Sequence, residues 1–184
     1  MLESSSGVSV RSNTAPWLVA LVALLAILGL AGRFLIRSGV EEATVPAGTS
    51  PAPVFDLAGL DGQRYRSDDF SGRVVLVEFW ATWCGPCRLQ AEILARLYEE
   101  VRSDELEFLA VSLGEPEDIV RDFVRKDPFP YPVLLDQDET LGYALEVYAL
   151  PTVMIVDGGG QITFLRPGIS DGETLRRALL AAAG

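Results

Sequence analysis

Val74-Val75-Leu76-Val77-Glu78-Phe79-Trp80-Ala81-Thr82-Trp83-Cys84-Gly85-Pro86-Cys87 is the stretch whose reading decides the fold. Its first seven residues are apolar except for Glu78, as expected of a central strand covered on both faces. After Cys87, apolar side chains recur at Leu89, Ile93, Leu94, Leu97 and Val101, which predicts a helix from Arg88 to about Val101. A strand therefore runs into a helix. The two cysteines of the chain stand at that junction, spaced Cys-x-x-Cys.

The pattern alternates on both sides of this stretch. Residues 54–57 read as a short strand and 60–63 as a turn. Residues 106–113 read as a second buried strand. Glu115-Pro116-Glu117-Asp118 opens a helix that ends near Lys126, with proline and acids where the first turn favours them. Residues 132–136 form a strand and 139–146 a short helix. Strands 153–156 and 161–165 are joined by Asp157-Gly158-Gly159-Gly160, a hairpin signal. Ser170-Asp171-Gly172-Glu173 reads as a capping box for a last helix over 172–182. The order predicts an α/β fold, a central sheet flanked by helices and ending in a hairpin.

The N-terminal quarter differs. Residues 1–14 are a polar, Ser-rich tail, and residues 15–32 carry no charged side chain. The apolar stretch 15–36, interrupted by Arg33, would span roughly 33 Å as a helix, close to a bilayer core. Trp17 and Arg33 stand where interfacial anchors belong. The alternative is a signal peptide cleaved after Ala31, against which the n-region is poor and the apolar run long. The reading is a single transmembrane signal anchor. Residues 37–52 form a flexible, Pro/Gly/Ser-containing tether, and a globular domain fills 53–184. That domain holds 12 Lys and Arg against 23 Asp and Glu, so it accounts for the whole net charge of −11. Such a surface repels phosphate backbones and excludes nucleic-acid binding. Arg33 and Arg37 follow the span whereas Arg11 precedes it, which does not favour export of the domain.

Two cysteines and no histidine cannot supply the four ligands of a structural zinc site, so no metal is expected. Arg88 stands where a c-type haem site needs histidine. A structural disulfide would close a very short loop and gain little entropy. Dithiol–disulfide exchange is the leading account. At a helix N-terminus, unsatisfied N–H groups and the positive dipole end favour thiolate. Cys84 is expected to be the exposed nucleophile. Cys87, a turn into the helix and more buried, is expected to resolve the mixed disulfide. Pro86 suits the first turn, and Gly85 lets a substrate backbone approach. Trp83 reads as docking surface. Trp80 is either a shoulder of the site or plain core, and Arg88 either assists the Cys84 thiolate or is a solvated charge.

The run 74–87 resembles the thioredoxin superfamily. The upstream Pro51-Ala52-Pro53-Val54-Phe55-Asp56-Leu57, with Leu60-Asp61-Gly62 and Asp69-Phe70-Ser71-Gly72, resembles its TlpA/ResA branch of membrane-tethered thiol–disulfide oxidoreductases. The resemblance implies a thioredoxin-like mixed sheet and a catalytic domain on the extracytoplasmic side of the cytoplasmic membrane. It also implies protein disulfide substrates, apocytochrome c among them, and electrons from a membrane thiol donor. No cofactor motif is present, and a monomer is expected. By position, Leu150-Pro151-Thr152 matches the cis-proline segment that pairs with extended substrate. Glu78 matches the buried acid of thioredoxins, whereas Gln90 stands where the TlpA/ResA branch usually has glutamate. A Glu in a covered strand has its pKa raised and could relay a proton to or from Cys87.

Two rivals remain. A peroxidase of the peroxiredoxin type needs Pro and Thr ahead of its cysteine; Thr82 is present without the proline. A tethered module that holds unfolded chains without turnover would keep its function after loss of both cysteines. The loops around 115–116 and 129–131 would choose the substrate, but their sequence carries no legible code.

Overall fold

The computed structural model describes residues 50–184 and, upstream of them, Leu25. The expected membrane span at 15–36 and most of the tether at 37–52 lie outside the described residues. Among the described residues, no helix is long and apolar enough to cross a membrane.

These residues form one mixed sheet of β1 (Ser50–Pro51), β2 (Asp56–Gly59), β3 (Arg64–Arg66), β4 (Val74–Trp80), β5 (Leu106–Leu113), β6 (Val133–Asp136), β7 (Thr152–Val156) and β8 (Gln161–Pro167). The spatial order is β1-β8-β7-β4-β5-β6-β2-β3. The helices are α1 (Gly85–Val101), α2 (Glu117–Val124), α3 (Thr140–Ala144) and α4 (Gly172–Ala182). β4 lies between parallel β5 and antiparallel β7, and every residue in it is buried.

Side chains alternate between sheet faces. Val74, Leu76 and Trp80 share a core with Cys84, Cys87, Leu94 and Leu97, and with Leu175 and Leu179 of α4. Val75, Val77 and Phe79 join Phe70, Leu109, Leu141 and Met154 on the other face. This period of two places Glu78 on the face under α1, between Ala110 of β5 and Val153 of β7. Leu76 and Phe79 are fully buried, worth roughly 1.5–3 kcal/mol each by area.

The structure departs from the sequence reading in five places. The first domain strand is Asp56–Gly59 rather than 54–57, and Val54 is exposed. It pairs with β3, a strand the sequence reading lacks, and Asp56 accepts ion pairs from Arg64 at 2.8 Å and Arg66 at 3.3 Å. Ser50–Pro51, at the end of the expected tether, pairs with β8 as β1. α1 begins at Gly85, three residues before Arg88, because Cys84 serves as its N-cap. The cap of α4 is Asp171, whose carboxylate accepts the Thr174 N–H at 2.9 Å; Ser170 is not the capping residue.

Candidate active site

β4 ends at Trp80, and the chain turns through Ala81–Cys84, where the Cys84 N–H donates to the Ala81 carbonyl at 3.1 Å. Cys84 and Cys87 are joined as a disulfide, with their Cα atoms 5.4 Å apart. As N-cap of a 17-residue helix, Cys84 directs its sulfur at the first turn, and the Cys87 N–H donates to Sγ at 3.3 Å. The same donor and the helix dipole would meet a thiolate formed on reduction.

That geometry corrects one expectation. Cys84 is not exposed in the disulfide form: it is 4% accessible and Cys87 2%. The cap turns the Cys84 sulfur inward, so the exposed rim is made by its neighbours. Trp83 is 74% accessible, and Gly85 and Pro86 are exposed. Leu89 is also exposed, although the helical stripe assigned it to the core. The buried face of α1 instead carries Cys87, Gln90, Leu94 and Leu97. Trp80 belongs to the core, with ring centroids 5.3 Å from Phe123 and 4.8 Å from Phe129. Arg88 is exposed, as a solvated helix charge would be, and its guanidinium lies over the Phe123 ring, 5.2 Å from the centroid. These residues line a cleft of about 90 Å³ that reaches Cys87.

The register of β4 and β7 pairs Phe79 with Thr152. Pro151 therefore stands beside Trp80, at the sheet end from which the cysteine loop departs. The Leu150–Pro151 bond is cis, Leu150 is half-buried, and Thr152 is buried with Oγ1 donating to the Ala149 carbonyl at 2.7 Å. The Pro151 carbonyl accepts the Gly168 N–H at 2.7 Å. Two residues on, the Ser170 N–H donates to Oε1 of Gln90 at 2.7 Å. The proline segment, the loop after β8 and α1 are thus tied in sequence. Neither tie was legible beforehand, because Gln90 and Ser170 are 80 residues apart.

Glu78 is fully buried, and neither carboxylate oxygen has a hydrogen-bond partner. Burial alone pushes its pKa up to about 8. Tyr131, also buried with an unpartnered hydroxyl, has its pKa raised first by burial and then by the charge of Glu78. Glu78 and Cys87 face the same core, one from the sheet and the other from the helix above it. Among the described residues, no group of three or more His, Cys, Asp or Glu could hold a metal ion.

The sequence pattern of the AhpC/TSA family matches residues 49–165. The chain belongs to the AhpC/TSA family. Within it, the thiol-disulfide oxidoreductase ResA of Geobacillus kaustophilus is 31% identical over 156 residues, 85% of this chain and 90% of that protein. The Bacillus subtilis protein of the same name is 34% identical over 113 residues, 61% of this chain and 63% of that protein. A solved structure, a putative thiol:disulfide interchange protein DsbE from Chlorobium tepidum, superposes with a TM-score of 0.68 at 27% identity. It covers 73% of this chain and 96% of that one. The fold of this AhpC/TSA member is thioredoxin-like, and the protein is a thiol–disulfide oxidoreductase acting on protein thiols. Thr82, the residue weighed for a peroxidase, has its hydroxyl committed to Glu115 rather than to a cysteine.

Proposed function

We propose that this oxidoreductase reduces disulfides of exported proteins while anchored by residues 15–36 to the cytoplasmic membrane, its catalytic domain on the extracytoplasmic side. The Cys84 thiolate attacks one sulfur of a substrate disulfide, forms a mixed disulfide and expels the other sulfur as thiolate. Cys87 then loses its proton to the Glu78 carboxylate and attacks Cys84 Sγ. The second substrate sulfur leaves and takes up a proton. Two electrons have passed from the dithiol to the substrate. A membrane thiol donor returns two electrons and restores the dithiol. The haem-binding thiols of apocytochrome c are one fitting substrate, and the protein works as a monomer without a cofactor.

Trp83, Gly85 and Pro86 on one side, with Leu150, Pro151 and Thr152 on the other, form the substrate cradle. An extended segment lies against the backbone at Leu150, where proline offers no N–H to compete. The observation that carries the proposal is the unpartnered carboxyl of Glu78 on the core face that Cys87 occupies. Its pKa of about 8 suits a group that exchanges a proton near neutral pH. The helix cap favours the attacking thiolate, and the Gly-Pro pair between the cysteines resembles reducing members of the superfamily.

The reduction potential of the full chain tests the direction of electron flow. A value near the thioredoxin end, about −270 mV, is expected; a value near −120 mV would make the protein an oxidant. A C-terminal reporter active only after export tests the location, and an inactive fusion would place the domain inside.

A further inference from the structure

Trp83 is the most exposed tryptophan surface beside the disulfide, at 74% accessibility. An indole in water tends to fold back onto nearby apolar surface. Leu89 and the cleft wall at Ala91 offer such surface within the same helix. The backbone just before Trp83 is held from another element.

It is held from β5. Glu115, in the turn between β5 and α2, accepts the Thr82 N–H on Oε2 at 2.8 Å and the Thr82 hydroxyl on Oε1 at 2.5 Å. The Ser112 hydroxyl donates to Oε2 at 3.1 Å and fixes the carboxylate from behind. Gly114, with φ of +69°, lets the chain turn there, and its N–H donates to the Asp136 carbonyl at 3.0 Å. A Cβ at that position would lie 2.7 Å from the Glu139 carboxylate. The brace is thereby rooted in β6. Two donors from one residue to two oxygens fix both the peptide plane and the rotamer of Thr82. The residue immediately before Trp83 is thereby fixed.

We infer that Glu115 is a positioning residue that holds Trp83 outward and so shapes the protein-docking face of the dithiol. The inference rests on the reading of Trp83 as docking surface. It concerns large polypeptide substrates, because a small disulfide needs no such face.

The test is steady-state reduction of a protein disulfide, insulin, by the full chain, with a small aromatic disulfide as the comparison substrate. Glu115→Ala is expected to raise KM for insulin about tenfold with kcat within about threefold. The ratio of insulin to small-disulfide kcat/KM falls accordingly. Glu115→Gln is expected to restore KM to within about twofold. Its oxygen can accept the Thr82 N–H and Ser112 hydroxyl while its amide donates to the Thr82 hydroxyl. If Glu115→Gln behaves like Glu115→Ala, charge rather than position is at work and the inference is overturned. Thr82→Val, which keeps the fold of the brace apart from one hydroxyl, is expected to raise KM about threefold, and covers the case in which Glu115→Ala does not fold. An unchanged KM in Thr82→Val together with equal losses on both substrates in Glu115→Ala also overturns it. Trp83→Ala separates the two claims. An unchanged insulin KM there defeats the docking reading itself, whereas a raised KM there beside a normal KM in Glu115→Ala defeats the role of Glu115 alone.

Discussion

Two glutamates flank the cysteine pair, and the protein has buried them in opposite ways. Glu115 stands at the end of β5 with Thr82 and Ser112 donating to its carboxylate. Glu78 stands in the middle of β4 with no donor to either oxygen. Donors aimed at a carboxylate compensate its lost hydration and lock it in place, which makes a brace. Burial without donors leaves a carboxyl whose pKa rises to about 8, which makes a titrating acid. On the roles proposed for them, the same side chain serves geometry on one side of the disulfide and proton transfer on the other. The local donor count decides which.

The largest expected effect breaks the comparison at Glu78. In the unfolded chain Glu78 ionises near 4.5, but in the folded protein it keeps its proton until about pH 8. Native stability therefore contains a term that is complete below about pH 4.5 and is lost as pH rises to about 8. Glu78→Gln lacks that loss. Relative to wild type it should gain roughly 3 kcal/mol between pH 4 and pH 7, and roughly 5 kcal/mol by pH 9. Urea titrations at the three pH values measure this, and a stability difference independent of pH would show that Glu78 is not held protonated. The opposite sign is expected at the other glutamate. Glu115→Ala strands the Thr82 N–H and should destabilise by roughly 2–3 kcal/mol at pH 7.

Smaller effects sharpen the contrast. Gln90→Ala removes the acceptor of the buried Ser170 N–H and should cost about 1–2 kcal/mol. It should also loosen residues 168–171 in amide hydrogen exchange, and unaltered protection there would mean that the tie does not hold the loop. Arg121→Ala breaks an exposed pair with Glu117 and should change stability by less than about 0.5 kcal/mol. A loss as large as that of Gln90→Ala would remove the distinction between buried and surface polar contacts.

How much of this was written in the sequence follows from where each element gets its stability. β4 and β5 were legible to the residue because they are mostly apolar runs, buried on both faces over nearly their whole length. The hairpin turn was legible because glycine and aspartate announce it. β2 was placed two residues early and β3 was missed, because these short edge strands carry exposed charges at Asp56, Arg64 and Arg66 and show little apolar alternation. The cysteine pair and the burial of Cys87 were plain in the sequence, but the burial of Cys84 was not, since the cap geometry that turns it inward is a property of the folded helix end. Leu89 did not take its expected place in the core, and Gln90 lies there instead. Counting apolar residues assigns Leu89 to the core, whereas the helix phase set by Cys87 and Leu94 puts Gln90 there. Glu78 was visible as a polar residue in an apolar strand. Glu115 was not, because its partner Thr82 lies 33 residues away and nothing local marks the pair.

The most direct test of proton handling beneath the cysteines is the rate of mixed-disulfide resolution, followed by rapid mixing from pH 5 to pH 10. Wild type and Glu78→Gln are compared, with Cys84 alkylation by iodoacetamide as the control for the attacking thiol. The expected result is a wild-type profile with an inflection near pH 8 that Glu78→Gln lacks, a slower Glu78→Gln resolution step, and nearly equal alkylation rates. Superimposable resolution profiles for the two proteins would contradict a role for Glu78 in the reaction.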